Sequence, residues 1–200
     1  MDIRVTVENG IDHCAMAHEL HEWLHVPITT EDRMRSRGLL EGALLCLLAA
    51  AGPASALPPA TGEPVLTVTG AIGNPNAGDK AVLDQTLLEG LGMATIRTTT
   101  SWTDGVVEFT GPTVASVLDA VGASGTTLHA VAVNDYAVDL DADELRRYGA
   151  ILAMRQDGKQ LSLRDKGPLW VVLPRDRHPE LMDEANNSKW IWQLRSIEIR

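Results

Sequence analysis

The sequence predicts an α+β domain over residues 65–200, built on a mixed, barrel-like β-sheet with short helices. Three observations predict it. Short runs rich in Val, Ile and Thr recur between Gly, Pro, Asn and Asp clusters, the pattern of strands punctuated by turns. The helical patterns between them are brief, unlike the regular strand–helix alternation of a doubly wound fold. Both cysteines of the chain, Cys14 and Cys46, precede the domain. Its stability must therefore come from a packed core, for which this length is sufficient.

Residues 57–64 form a linker too proline-rich for regular structure. Residues 65–72 (VLTVTGAI) alternate apolar side chains with Thr and read as a half-buried strand. A loop follows from Asn74 to Gly78, and Asp79 is the expected cap of a helix over 80–91. Leu83, Leu87, Leu88 and Leu91 supply its apolar face, and Gly92 ends it. Residues 94–102 (ATIRTTTSW) read as a strand that returns through the Asp104-Gly105 turn to 106–109. Gly111-Pro112 then opens a helix with Val114, Val117, Leu118 and Val121 on one side, stopping at Gly122.

Residues 127–133 form another strand, ending in Asn134-Asp135-Tyr136, and Asp141 caps a short helix through Arg147. Residues 151–154 and 160–163 make a hairpin around Asp157-Gly158. The Arg164-Asp165-Lys166-Gly167-Pro168 turn leads to a buried strand over 169–173, and 190–199 (WIWQLRSIEI) is the closing strand.

Ahead of the domain the chain reads as a signal peptide over residues 34–56. A basic stretch (MRSRG) precedes an apolar run (LLEGALLCLLAAA), then a Gly-Pro breaker and an A-x-A pattern at Ala54-Ser55-Ala56. The run falls short of the roughly 20 apolar residues that a membrane-spanning helix needs. The expected product is periplasmic, with no membrane span after processing, and residues 1–33 are an upstream extension. Within that extension Cys14, His18, His21 and His25 share one face of a helix, with zinc-type donors. A tetrahedral shell usually draws on two elements, and processing would remove this one, so no metal is expected. The net charge of −10, without a basic stripe, points away from nucleic acid as a partner.

Three polar clusters stand at strand ends: Thr99, Thr100 and Trp102; Asn134, Asp135 and Tyr136; Arg164, Asp165 and Lys166. Taken singly, each is explained by strand or turn propensity. Taken together, they offer an aromatic plane, hydroxyls, carboxylates and cations, which suits a flat, nitrogen-rich heterocycle. No nucleophile stands out. Ser101 and Ser162 have no nearby His, and neither G-x-S-x-G, G-x-G-x-x-G nor a P-loop occurs. His129 and His178 read as structural or solvated. Trp170, Trp190 and Trp192 read as core or rim packing.

Asn134-Asp135-Tyr136, the RDKGPLW stretch from Arg164 to Trp170 with Pro174 following, and Trp192-Gln193-Leu194 resemble the sulfite-oxidase-type molybdopterin-binding domain. The resemblance covers residues 65–200 and is nearest to small, stand-alone secreted members. It implies an α+β fold with a pterin-sized pocket at the strand ends. In the oxidases of this family a cysteine thiolate binds molybdenum directly, and no cysteine follows residue 56 here. The resemblance therefore implies a periplasmic pterin-binding regulator, one that binds a reduced pterin and acts on the periplasmic region of a membrane-bound cyclic-di-GMP enzyme. A molybdopterin-dependent oxidoreductase, or an accessory subunit of one, is the alternative; a relic that binds only a protein partner is a third. On the first reading Asp135 or Asp165 accepts the pterin's paired N–H groups while Trp102 packs on the ring. Thr99, Thr100, Asn134 and Tyr136 complete the rim, and Arg164 and Lys166 fix the loop or a ligand oxygen.

Overall fold

Residues 56–200 are described by the computed structural model; the signal peptide and the upstream face carrying Cys14 and His25 lie outside the described residues. In β1 (Pro64–Gly70) Leu66 and Val68 are buried while Thr67 and Thr69 are only half so, the period of two that its alternation dictates. The preceding linker has no regular structure, yet it is pinned, because Asp84 accepts the N–H groups of Thr61 and Gly62 at 2.8 Å each.

The helix expected over 80–91 is instead a strand followed by one turn of helix. β2 (Ala81–Asp84) pairs antiparallel with β1, and α1 (Gln85–Glu89) begins only after it. The cap is Asp84, whose carboxylate accepts the Leu87 N–H at 2.8 Å, rather than Asp79. Ala81 and Leu83 are fully buried beside β1, and pairing there satisfies their backbone groups in place of a helical ladder.

β3 (Met93–Thr98) and β4 (Val107–Pro112) pair antiparallel, but the strand expected through Trp102 stops at Thr98. Residues 99–106 join the two, with the turn at Ser101-Trp102 and only a bend at Asp104-Gly105, instead of a two-residue turn. Gly111 and Pro112 do not open a helix. They face Ala94 and Met93 in the ladder, and α2 (Val114–Ala120) starts from Thr113, whose hydroxyl accepts the Ser116 N–H. β5 (Thr127–Ala132) and β6 (Ala137–Asp141) form a hairpin, and α3 (Ala142–Tyr148) is capped by Asp141, as expected, and closed by left-handed Gly149.

β7 (Ile151–Ala153), β8 (Arg155–Gln156) and β9 (Lys159–Gln160) follow. The Asp157-Gly158 turn is present, but the hairpin is only two residues deep. β7 pairs instead with β10 (Trp170–Val172), and every residue of both is buried. A run of 3-10 turns from Arg175 to Lys189 leads to β11 (Leu194–Ile199), shorter than the strand expected from residue 190.

The strands form a five-stranded sheet in the order β2-β1-β11-β5-β6, a four-stranded sheet β3-β4-β8-β9, and the β7–β10 pair. β1 and β11 are parallel while their other neighbours are antiparallel, so the large sheet is mixed. The fold is α+β with several sheets, and they do not close into a barrel. Leu66, Val68, Leu128, Ala130, Ile197 and Ile199 line the buried face of the large sheet, and Val117, Leu118 and Leu145 of the helices belong to the same core. Among the described residues no helix is long and apolar enough to cross a membrane.

Candidate functional site

The β3–β4 connection, the β5–β6 turn and the segment before β11 meet around a cluster of tryptophans. Trp102 lies 5.3 Å from Trp192 and 6.3 Å from both Trp170 and Trp190, measured between ring centroids. The pairs are edge-on or tilted, which the aromatic quadrupole favours over a face-to-face sandwich. Trp170 and Trp190 are buried, and the Trp170 indole N–H donates to the Trp190 carbonyl at 3.2 Å. Trp102 and Trp192 are only half-buried.

Beside them lies a pocket of about 310 Å³, at the small end of ligand sites. Its apolar wall is Trp102, Trp190, Trp192, Tyr136, Ala132 and Ile191. Asn134, Asn187 and Ser188 supply the polar part.

Local chemistry explains how the β5–β6 turn presents its residues. The Asn134 side-chain oxygen accepts the Tyr136 N–H at 3.2 Å, and the Tyr136 carbonyl accepts the Ala132 N–H. Asp135 takes the left-handed conformation at φ 64, which Asp tolerates better than most residues. The turn places Asn134 and Tyr136 on the pocket and sends Asp135 outward. The Asp135 carboxylate accepts from Arg195 at 2.6 Å and is 82% exposed. It is not on the pocket wall, because a cation from β11 holds it elsewhere.

Thr100 is buried and does not form a rim. Its hydroxyl accepts the Trp102 N–H at 3.0 Å and pairs with Thr103, so it positions the indole from behind. Thr99 is tied to Asp176, which accepts its N–H and its hydroxyl. Next along the chain, Arg175 Nη1 donates to the Ser101 hydroxyl at 3.1 Å, and Ser101 donates to Asn187 Oδ1 at 3.2 Å.

Arg164, Asp165 and Lys166 line a second, more polar depression of about 400 Å³, together with Asp157 and Lys159. Asp165 accepts from Ser162 at 2.6 Å. The Lys166 ammonium sits 5.3 Å from the centroid of the Trp170 ring, and its carbonyl accepts the Gln193 N–H. Gln193 Nε2 in turn donates to the Leu163 carbonyl at 2.7 Å, so Gln193 ties this loop to the start of β11. Asp165 is thus not placed beside Trp102, since Ser162 anchors it to its own loop. Of the nine site residues expected from sequence, Trp102, Asn134 and Tyr136 are brought to one pocket.

Trp190 and Trp192 were expected only as packing, and Asn187, Ser188 and Arg175 carried no expectation. The Asn186-Asn187-Ser188 run just ahead of the Trp190-Ile191-Trp192 stretch was the available signal, polar groups abutting an aromatic run. His129 pairs with Asp139 at 2.6 Å, and His178 stacks edge-on against Tyr148; neither lines this pocket.

No family model matches the chain, and no curated protein matches it. Among solved structures, the sulfane dehydrogenase SoxCD from Paracoccus pantotrophus is similar, with a TM-score of 0.50 at 15% identity. The match covers 68% of this chain and 37% of that one, so this chain spans well under half of the dehydrogenase's length. At that identity the likeness concerns the fold alone.

Proposed function

We propose that residues 65–200 form an exported module that binds a pterin, without redox chemistry of its own. Occupancy would be passed to the periplasmic region of a membrane-bound signalling enzyme of the cyclic-di-GMP type. The observation that carries the reading is the pocket walled by Trp102, Trp192 and Tyr136 with amide groups at its polar side. Stacking faces and a small volume favour a bicyclic heterocycle over a larger ligand. Tyr136 lines the pocket and is also 47% exposed, which gives a partner a side chain that senses the ligand.

The fold likeness favours a second reading, a molybdopterin-dependent oxidoreductase or its accessory subunit. The donor set argues against it. Residues 57–200 contain no cysteine, so the thiolate that would hold molybdenum in the related oxidases has no counterpart there. The pocket beside Trp102 also lacks a cation to receive a phosphate tail.

Titration of the exported protein with tetrahydropterin, followed by tryptophan fluorescence, tests the proposal. Trp102→Ala and Tyr136→Ala should each weaken binding by about tenfold or more, equivalent to about 1.4 kcal/mol. Asp135→Ala and Asp165→Ala should bind like wild type, because neither carboxylate is on this pocket. Saturable molybdenum with sulfur-compound oxidation, and no pterin binding, would reject the proposal in favour of the oxidoreductase.

A further inference from the structure

Residues 99–106, which carry Trp102, form neither strand nor helix, and among the described residues no backbone-to-backbone hydrogen bond joins them to another segment. Residues of the first 3-10 turn after β10 make that connection instead. The Asp176 carboxylate accepts from both donors of Thr99, the N–H through Oδ2 at 2.8 Å and the hydroxyl through Oδ1 at 2.5 Å. Asp176 gives its own N–H to the hydroxyl of buried Thr98 at 3.3 Å. Its neighbour Arg175 donates to the Ser101 hydroxyl at 3.1 Å. Thr98, Thr99 and Ser101 are thus gripped by two adjacent residues that follow them by 74 to 78 positions in the chain.

We infer that Asp176 is a positioning residue of the pocket: its two-oxygen hold on Thr99 sets Trp102 as a wall before any ligand arrives. The inference rests on the pterin-binding reading above and specifies what holds its aromatic wall. Between Thr99 and the indole, Thr100 closes a local turn, accepting the Trp102 N–H at 3.0 Å and pairing with Thr103 at 2.8 Å. That turn is self-contained, so it aims the indole only as well as its entry is fixed, and Asp176 fixes the entry. On the return side Asp104, Gly105 and Val106 are exposed, which leaves the hold on this loop one-sided. Contact with Trp170, Trp190 and Trp192 then keeps the indole where the loop has delivered it. A wall already set in the free protein spares the ligand the cost of ordering the loop.

Fluorine NMR of the full chain labelled with fluorotryptophan tests this, the Trp102 resonance being identified by its loss in Trp102→Phe. In unliganded wild type that resonance should be single, sharp and displaced from its unfolded position. Asp176→Ala should broaden it or move it toward the unfolded position while the Trp170 and Trp190 resonances stay in place, which general loss of packing would not give. Affinity for tetrahydropterin should fall about fivefold or more in the same variant, on the scale of one hydrogen bond. Thr99→Val, which removes only the hydroxyl arm, should fall between wild type and Asp176→Ala in both measurements. In Asp176→Asn the amide oxygen can accept the Thr99 N–H and the amide nitrogen can donate to the Thr99 hydroxyl oxygen, so both should return close to wild type. A spectrum and an affinity like wild type in Asp176→Ala overturn the inference, and so does an Asp176→Asn variant that behaves like Asp176→Ala. Wild type that binds no tetrahydropterin is a failure of the pterin reading instead, and the unliganded spectra then judge the hold on Trp102 by themselves.

Discussion

Asp84 shows how much one side chain can organise without lining a site. Its carboxylate accepts three backbone N–H groups, from Leu87, Gly62 and Thr61, each at 2.8 Å, and so joins the linker, β2 and the start of α1. Those hydrogen bonds, led by that from Leu87, hold its pKa below the usual carboxylate value, although burial opposes the shift. The group is depressed in the folded state, so its contribution to stability is fully present above the unfolded carboxylate's pKa. That contribution is lost as pH falls through the folded value. Asp84→Asn should therefore be less stable than wild type at neutral pH, and the difference should shrink as acid protonates Asp84. Urea midpoints measured from about pH 7 down to about pH 3 check this; a difference independent of pH would place the effect in packing alone.

At the scale of elements, the close contact of β4 with β7 governs what either can carry. Gly111 opposes Ala94 in the β3–β4 ladder, and a Cβ there would overlap the backbone carbonyl of Leu152 in β7. Backbone cannot yield as a flexible side chain can, so Gly111→Ala should destabilise the fold by about 1–3 kcal/mol, the range of overpacking. Chemical denaturation would show it as a lower midpoint. The same crowding accounts for strand structure through Pro112: the chain stays extended against β3 until Val114 N–H reaches the Ala150 carbonyl and α2 begins. Over β2 the order of preference was likewise decided by a neighbour. The helical spacing of leucines in residues 80–91 is real, but the open edge of β1 captured Ala81–Asp84 as β2.

For the whole molecule, the pocket is assembled from segments far apart in the chain: the β3–β4 connection, the β5–β6 turn and the approach to β11. A ligand held there contacts three parts of the fold at once, and binding should raise the melting temperature as the logarithm of free ligand above its Kd. Thermal denaturation with increasing tetrahydropterin measures this, and an unchanged midpoint at saturating ligand would count against the site. Export belongs to the same scale. If residues 34–56 act as a signal peptide, the secreted product should begin at Leu57, and N-terminal sequencing would identify it. A product that retains His18 to His25 would restore interest in that metal-type face.

The sequence by itself determined what neighbours along the chain can settle. The alternation of β1, the Asp157-Gly158 turn, the cap at Asp141 and the fully apolar run of β10 are each written within a few residues, because propensity, capping and periodicity act over that range. Trp102, Asn134 and Tyr136 were recognisable for the same reason, as polar and aromatic residues at strand ends. Only the tertiary structure decided which partners met. Whether Asp135 faced a ligand depended on Arg195, sixty residues later, and whether Trp190 and Trp192 were packing or wall depended on where the 3-10 segment laid them. Asn187 reaches the pocket beside Ser101 and Arg175, which lie far from each other in the chain. Hydrogen-bond direction and the choice of ion partner are set by atoms in space, and no local pattern encodes them.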